Sequence, residues 1–87
     1  MEIKYSEKAV KQLRKICKGD IKSARMIIKK IEDYSGDPMG NFDIKVLKGD
    51  YGDFYRLRVG NYRIIFEVEK NLMFVYEIKH RQEAYND

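Results

Sequence analysis

The hydrophobic period of this chain changes once, near residue 44, and that change restricts the fold more than any other feature. Before it, apolar residues recur at spacings of three and four. One set is Ala9, Val10, Leu13, Ile16 and Cys17; the next is Ile21, Ala24, Ile27, Ile28 and Ile31. After it, apolar and polar residues alternate through "IKVLKG" (44–49), "DFYRLRV" (53–59), "YRIIFEVE" (62–69) and "LMFVYEIK" (72–79). A stripe at spacings of three and four gathers on one face only if its segment is a helix, and an alternating one only if its segment is a strand. The chain is therefore expected to be an α+β domain of helices followed by strands. Ser6 is placed to cap the first helix, Gly19 to end it and Asp20 to cap the second. The connection "KGD" is short enough to force an antiparallel helical hairpin onto one face of a small, mainly antiparallel sheet. Gly60-Asn61 and Lys70-Asn71 supply two-residue hairpin turns. "EIKY" (2–5) reads as a further strand, with its place at an edge or the centre left open. "SGDPMGNFD" (35–43) reads as a loop and "HRQEAYND" as at most one helical turn. At 87 residues, a single domain spanning 1–87 is expected.

The strands carry an unusual load of arginine. Alternation puts Tyr55, Leu57 and Val59 on one face of their strand and Phe54, Arg56 and Arg58 on the other. In the next strand Tyr62, Ile64, Phe66 and Val68 oppose Arg63, Ile65 and Glu67. In the last, Leu72, Phe74, Tyr76 and Ile78 are expected to face the helices, opposite Met73, Val75, Glu77 and Lys79. Arg81 joins the second set if the strand continues. The arginines are thus expected on the sheet face that the hairpin leaves open. Two readings follow: a site for an anion, or cross-strand pairing with Glu67, Glu69 and Glu77.

The formal net charge is +4. Residues 1–34 hold ten Lys and Arg against five Asp and Glu, and residues 35–87 hold eight against nine. The excess lies on the helical hairpin, where lysines are either solvated or grip a nucleic-acid backbone. One His and one Cys do not make a zinc site, and the chain has no glycine-rich phosphate loop or dinucleotide fingerprint. A Ser-His-Asp arrangement would have to use His80, without a nucleophile elbow. No apolar run approaches 18 residues and no secretory leader is visible. Cys17, the one cysteine, is expected to be a core thiol and fits a reducing cytosol. What remains is arginine plus the late Tyr85. That set suits metal- and cofactor-free RNA cleavage, in which a ribose 2′-OH attacks the adjacent phosphate and guanidinium forks stabilise the pentacoordinate charge. Tyr85 or His80 is the candidate base or proton relay, and a tyrosine ring could equally stack on a base.

"LKG…YRLRVGNYRI" together with the closing "HRQEAY" resembles the RelE/ParE toxin superfamily of type II toxin–antitoxin systems, over nearly the whole chain. The ending favours the RelE-like branch. The resemblance implies a cytoplasmic, ribosome-dependent endoribonuclease that cleaves mRNA in the A site. It implies that Arg63 and Arg81 hold the scissile phosphate and Tyr85 orients or deprotonates the 2′-OH. Arg56 and Arg58 would bind phosphates, Arg58 next to the chemistry. His80, Lys48 and Lys79 complete the expected RNA-binding set. RelE-type sites carry lysines where this chain has Arg56 and Arg58, and arginine trades protons far less readily. The resemblance also implies a cognate antitoxin protein as partner. Two alternatives stay open: a ParE-like toxin acting on DNA gyrase, and a catalytically weakened toxin that only binds its antitoxin.

Overall fold

A computed structural model describes residues 1–49 and 52–81 of the chain. Strand β1 (Glu2–Tyr5) leads into α1 (Glu7–Gly19) and α2 (Ile21–Gly36), followed by β2 (Ile44–Gly49), β3 (Gly52–Val59), β4 (Tyr62–Glu69) and β5 (Leu72–His80). Ser6 caps α1, its hydroxyl accepting from Ala9 N–H at 3.0 Å. Gly19 lies inside the helix, not beyond it. Asp20 performs both jobs at the junction. Its N–H closes α1 on the Ile16 carbonyl at 2.6 Å, and its carboxylate accepts from Ser23 N–H at 3.1 Å and Ser23 Oγ at 2.6 Å. The Ser23 hydroxyl bond, then the Ser23 N–H, holds the Asp20 carboxyl below its ordinary pKa.

Both helices cover one face of a five-stranded sheet in the order β1-β5-β4-β3-β2. β1 takes an edge and runs parallel to β5; the other neighbours are antiparallel. The core joins Ala9, Ile27, Ile31 and Tyr34 from the helices to Leu57, Val59, Ile64, Phe66, Met73, Val75 and Ile78 from the sheet. Phe66 anchors it, stacked on Tyr55 with centroids 5.5 Å apart and edge-on to Tyr34 at 5.1 Å. The buried stripe of α2 runs through Ala24, Ile27, Ile31 and Tyr34, leaving Ile21 and Ile28 exposed. Cys17 is exposed as well. The departures of Ile28 and Cys17 have one cause. Each helical residue turns about 100° from its predecessor, so Ile28 and Cys17, following Ile27 and Ile16, swing off the stripe to the rim.

The main correction concerns β5. Ile65 pairs with Glu77 but Phe66 pairs with Val75, which leaves Tyr76 as an extra residue in a β-bulge. Parity inverts there. Met73 and Val75 are fully buried, and Phe74 and Tyr76 stand on the open face instead of the core face. Alternation read from one end of a strand cannot cross a bulge, and "LMFV" is apolar on both faces, so composition did not reveal the inversion. The bulge falls where β1 stops pairing at Tyr5–Val75. Beyond that point α1 satisfies the edge of β5. Ser6 N–H donates to Val75 O (2.9 Å), Ser6 Oγ donates to Tyr76 O (2.5 Å), and Gln12 Oε1 accepts from Ile78 N–H (2.7 Å).

Two tight turns complete the sheet. Gly60 (φ +57°) takes the first central position of the β3–β4 turn, and Asn61 keeps a negative φ, the type II′ pattern. Lys70, at φ +56°, occupies the left-handed region without glycine's freedom, at a cost of about 1 kcal/mol.

Candidate nucleic-acid interface

Strand register sorts the open face into rows that cross the sheet. Arg58 of β3 lies opposite Arg63 of β4, which lies opposite Lys79 of β5. The adjacent row is Lys45, Arg56, Ile65 and Glu77. Farther along, Leu47 opposes Phe54, and Glu67 opposes Phe74, which opposes Lys4 of β1. The face is therefore cationic near the β3–β4 turn and aromatic at the other end. Helices α1 and α2 lie on the opposite side, so among the described residues the cations face outward.

Like charges placed directly across strands repel, and the structure offsets part of that cost. Asp43, just before β2, bonds Arg56 Nη2 through Oδ1 at 2.8 Å and approaches Arg58 Nε through Oδ2 at 4.0 Å. Its carbonyl also accepts from Arg58 N–H at 3.0 Å. Glu77 sits between Lys8 of α1 at 3.0 Å and Lys79 at 3.8 Å. Arg63, at the middle of the cationic row, has no ion pair among the described residues. Its Nε is buried without a hydrogen-bond partner there, as is Arg56 Nε. A buried N–H left unpaired costs about 1–3 kcal/mol. Arg63 is thus a cation held at some expense on the face that solvent and partners can reach.

The residues expected at the site divide clearly. Arg56, Arg58, Arg63 and Lys79 come together on the open face. Arg81 follows β5, its N–H donating to Asn61 O at 2.6 Å, so its backbone is fixed beside the β3–β4 turn. His80 opposes Tyr62, meets that ring edge-on at 5.1 Å, and lines a cavity of about 400 Å³ with Gln12, Lys15 and Ile16 on the helix side. Lys48 pairs with Asp53, out of phase with Arg56, so it also departs from the arginine face. Tyr85 lies outside the described residues. Sequence reasoning missed Lys45 and Asp43. Register would have exposed Lys45, since it stands directly opposite Arg56. Asp43 had no signal, because it precedes the strand and acts through its side chain. Among the described residues, no three His, Cys, Asp or Glu side chains are placed to hold a metal, and no helix is long and apolar enough to cross a membrane.

A helical hairpin on one side of a mixed five-stranded sheet is the fold of RelE-like toxins. The profile of the family described as "ParE toxin of type II toxin-antitoxin system, parDE" matches residues 3–85, and the chain belongs to this RelE/ParE superfamily of type II toxins. Its likeness to archaeal RelE proteins is the more detailed one. It is 31% identical to Toxin RelE3 of Methanocaldococcus jannaschii over 99% of this chain and 97% of that protein. The RelB–RelE antitoxin–toxin complex from Methanococcus jannaschii contains a chain 30% identical to this one, with TM-score 0.68 over 94% of both chains. The RelE–RelB complex from Pyrococcus horikoshii OT3 contains one 26% identical, with TM-score 0.73 over 92% of this chain and 93% of that one.

Proposed function

We propose that this protein is a ribosome-dependent endoribonuclease, acting in the cytoplasm as one domain, that cleaves mRNA in the A site and so halts translation. The observation that carries the reading is the row Arg58–Arg63–Lys79 on the uncovered face, with Arg63 unpaired among the described residues. Such a row suits a phosphodiester passing through a dianionic, five-coordinate state. Guanidinium forks supply paired donors to its equatorial oxygens, each worth roughly 3–4 kcal/mol when preorganised. The 2′-oxygen attacks phosphorus, the bond to the 5′-oxygen breaks, and a 2′,3′-cyclic phosphate and a 5′-hydroxyl result. Arg63 and Arg81 hold the scissile phosphate, with Arg58 beside them. Tyr85 takes the 2′-OH proton, and water or Tyr85 itself returns one to the 5′-oxygen. Arg56 and Arg58 share Asp43, which suits electrostatic roles and not proton transfer. Lys79 and Lys45 extend the phosphate-binding surface. The relatives in solved complexes are bound to RelB antitoxins, and a small cognate antitoxin that covers the cationic face is the corresponding partner here.

The gyrase reading rests on the ParE name of the matching family. One experiment separates the two. The purified protein is added to a translation extract, and new mRNA 5′ ends are mapped by primer extension beside a supercoiling assay. Cuts within codons that need ribosomes, and that disappear in folded Arg63→Ala, Arg81→Ala and Tyr85→Ala variants, support the nuclease. Intact message with inhibited supercoiling supports the gyrase toxin. Activity in neither assay, with antitoxin binding retained, supports a binding module only.

A further inference from the structure

The aromatic end of the open face is not needed for phosphate chemistry, yet it is built with some care. Phe54 of β3 and Tyr76 of β5 meet edge-on at 5.3 Å across β4, and Phe74 packs against Tyr76 at 4.5 Å. None of the three belongs to the core cluster, and all are half-buried on the side away from the helices. Glu67 of β4 lies opposite Phe74 and accepts from the Tyr76 hydroxyl through Oε1 at 2.7 Å. No other polar contact of Glu67 occurs among the described residues, whereas Glu77 holds two lysines. From Phe54 to Arg58 is four residues along β3, about 13 Å.

We propose that Phe54, Phe74, Tyr76 and Glu67 form a base-recognition subsite for one nucleotide near the cleaved bond. The base stacks on the rings while its exocyclic amino group donates to Glu67 Oε2. This rests on the nuclease reading above. Charge and shape favour that occupant. Flat apolar rings beside cationic rows are the combination that single-stranded nucleic acid requires, with phosphates on the cations and bases on the rings. Arg56 and Lys45 stand between the aromatic and cationic ends, and Lys4 opposes Phe74. A carboxylate on such a face repels phosphate, so the complementary ligand group is a donor carried by the base. Cytosine, adenine and guanine each offer an amino group. Uracil has none, and flanks its one N–H with two carbonyl oxygens that repel a carboxylate. The subsite therefore discriminates against uracil.

The test maps cleavage sites across a mixed mRNA population in translation extract and compares base frequencies at each position around the cut. Wild type is expected to under-cut sites with uracil at one fixed position, by about five- to tenfold, the lower range of one base-specific hydrogen bond. Glu67→Gln keeps the acceptor for Tyr76 and turns an amide N–H₂ toward the base, so the bias at that position should vanish or reverse. Tyr76→Phe keeps the ring but removes the hydroxyl that holds Glu67 Oε1, so the bias should weaken. Phe74→Ala should raise the toxin concentration needed for half-maximal cutting at all sites. Far-UV circular dichroism confirms that each variant folds. A wild type that cuts with the same base profile as Glu67→Gln overturns the subsite and leaves the nuclease standing. A wild type that does not cut overturns both. Weakened antitoxin binding by Phe74→Ala with an unaltered cleavage profile assigns the patch to a protein partner and overturns the base proposal.

Discussion

Arg63→Met should separate stability from activity, because the structure holds this guanidinium at a cost. Its Nε is buried without a partner among the described residues, and Arg58 and Lys79 stand directly opposite it on either side. The unpaired N–H costs about 1–3 kcal/mol, and each like-charged neighbour about 0.2–1 kcal/mol. Methionine keeps most of the apolar stem, so little packing is lost. Discounting for the partly buried position, the substitution should stabilise the fold by about 1–2 kcal/mol. In a domain of this size that raises Tm by roughly 5–10 °C. Urea titration followed at 222 nm should move to a higher midpoint with an unchanged slope. The gain should shrink between about 0.05 M and 1 M salt, because the repulsive part is screened. Cleavage in translation extract should fall at least about a hundredfold in the same preparation. A lower urea midpoint for Arg63→Met would refute the reasoning, since the guanidinium would then be stabilising the sheet instead of being stored in it for a ligand.

Three smaller perturbations probe neighbouring features. Asp43→Ala removes the carboxylate shared by Arg56 and Arg58; Arg56 has a side chain only 11% exposed, so stability should drop by roughly 1 kcal/mol while affinity for single-stranded RNA rises, both measurable by urea melts and fluorescence anisotropy. Lys70→Gly relieves the left-handed lysine in the β4–β5 turn and should raise stability by about 0.5–1 kcal/mol without changing cleavage. Asp20→Asn keeps a neutral cap but loses the charge. The wild-type carboxyl is held below its ordinary range by Ser23, so its extra stability is fully present above about pH 4 and is lost as pH falls through the depressed value. The Tm gap between the two proteins should be constant from about pH 7 to 5 and close in stronger acid.

The change of hydrophobic period made the two helices and the last four strands legible, since burial on one face leaves a repeating mark. Ser6, Asp20 and Gly60 marked the boundaries because each residue type answers a backbone need that few others meet. The placing of Arg56, Arg58 and Arg63 on the open face was legible from parity within β3 and β4, strands without an irregularity between those residues. The edge position of β1 was not legible, because a four-residue strand carries too short a pattern to show what lies on either side of it. The exposure of Ile28 was hidden for a related reason. An isoleucine one step from the buried stripe is as apolar as one on it, and only the contacts of the neighbouring elements decide between them.

The β5 bulge links the two ends of the open face. Were β5 regular, with Tyr76 paired like its neighbours, the strand that presents Glu77 and Lys79 outward would also present Val75 and Met73, and would bury Tyr76 and Phe74 under the helices. Leaving Tyr76 unpaired in the bulge lets Lys79 stand beside Arg63 while, upstream, Phe74 and Tyr76 stand beside Glu67. The same bulge leaves Met73 and Val75 to fill the core beneath α1 and α2. A regular strand could serve the core and the cations, or the core and the aromatics, with its residues in this order, but not all three. The bulge sits where β1 ends and Ser6 takes over the edge of β5, so the irregularity is fixed from both sides by hydrogen bonds. Deleting Tyr76 should leave the rest of the register intact, with Ile65 on Glu77 and Phe66 on Val75, so that Met73 and Val75 stay in the core and Phe74 stays on the open face. Such a variant should still unfold cooperatively in urea, losing only the Tyr76 ring and its bond to Glu67, and a non-cooperative transition would count against this account of the bulge.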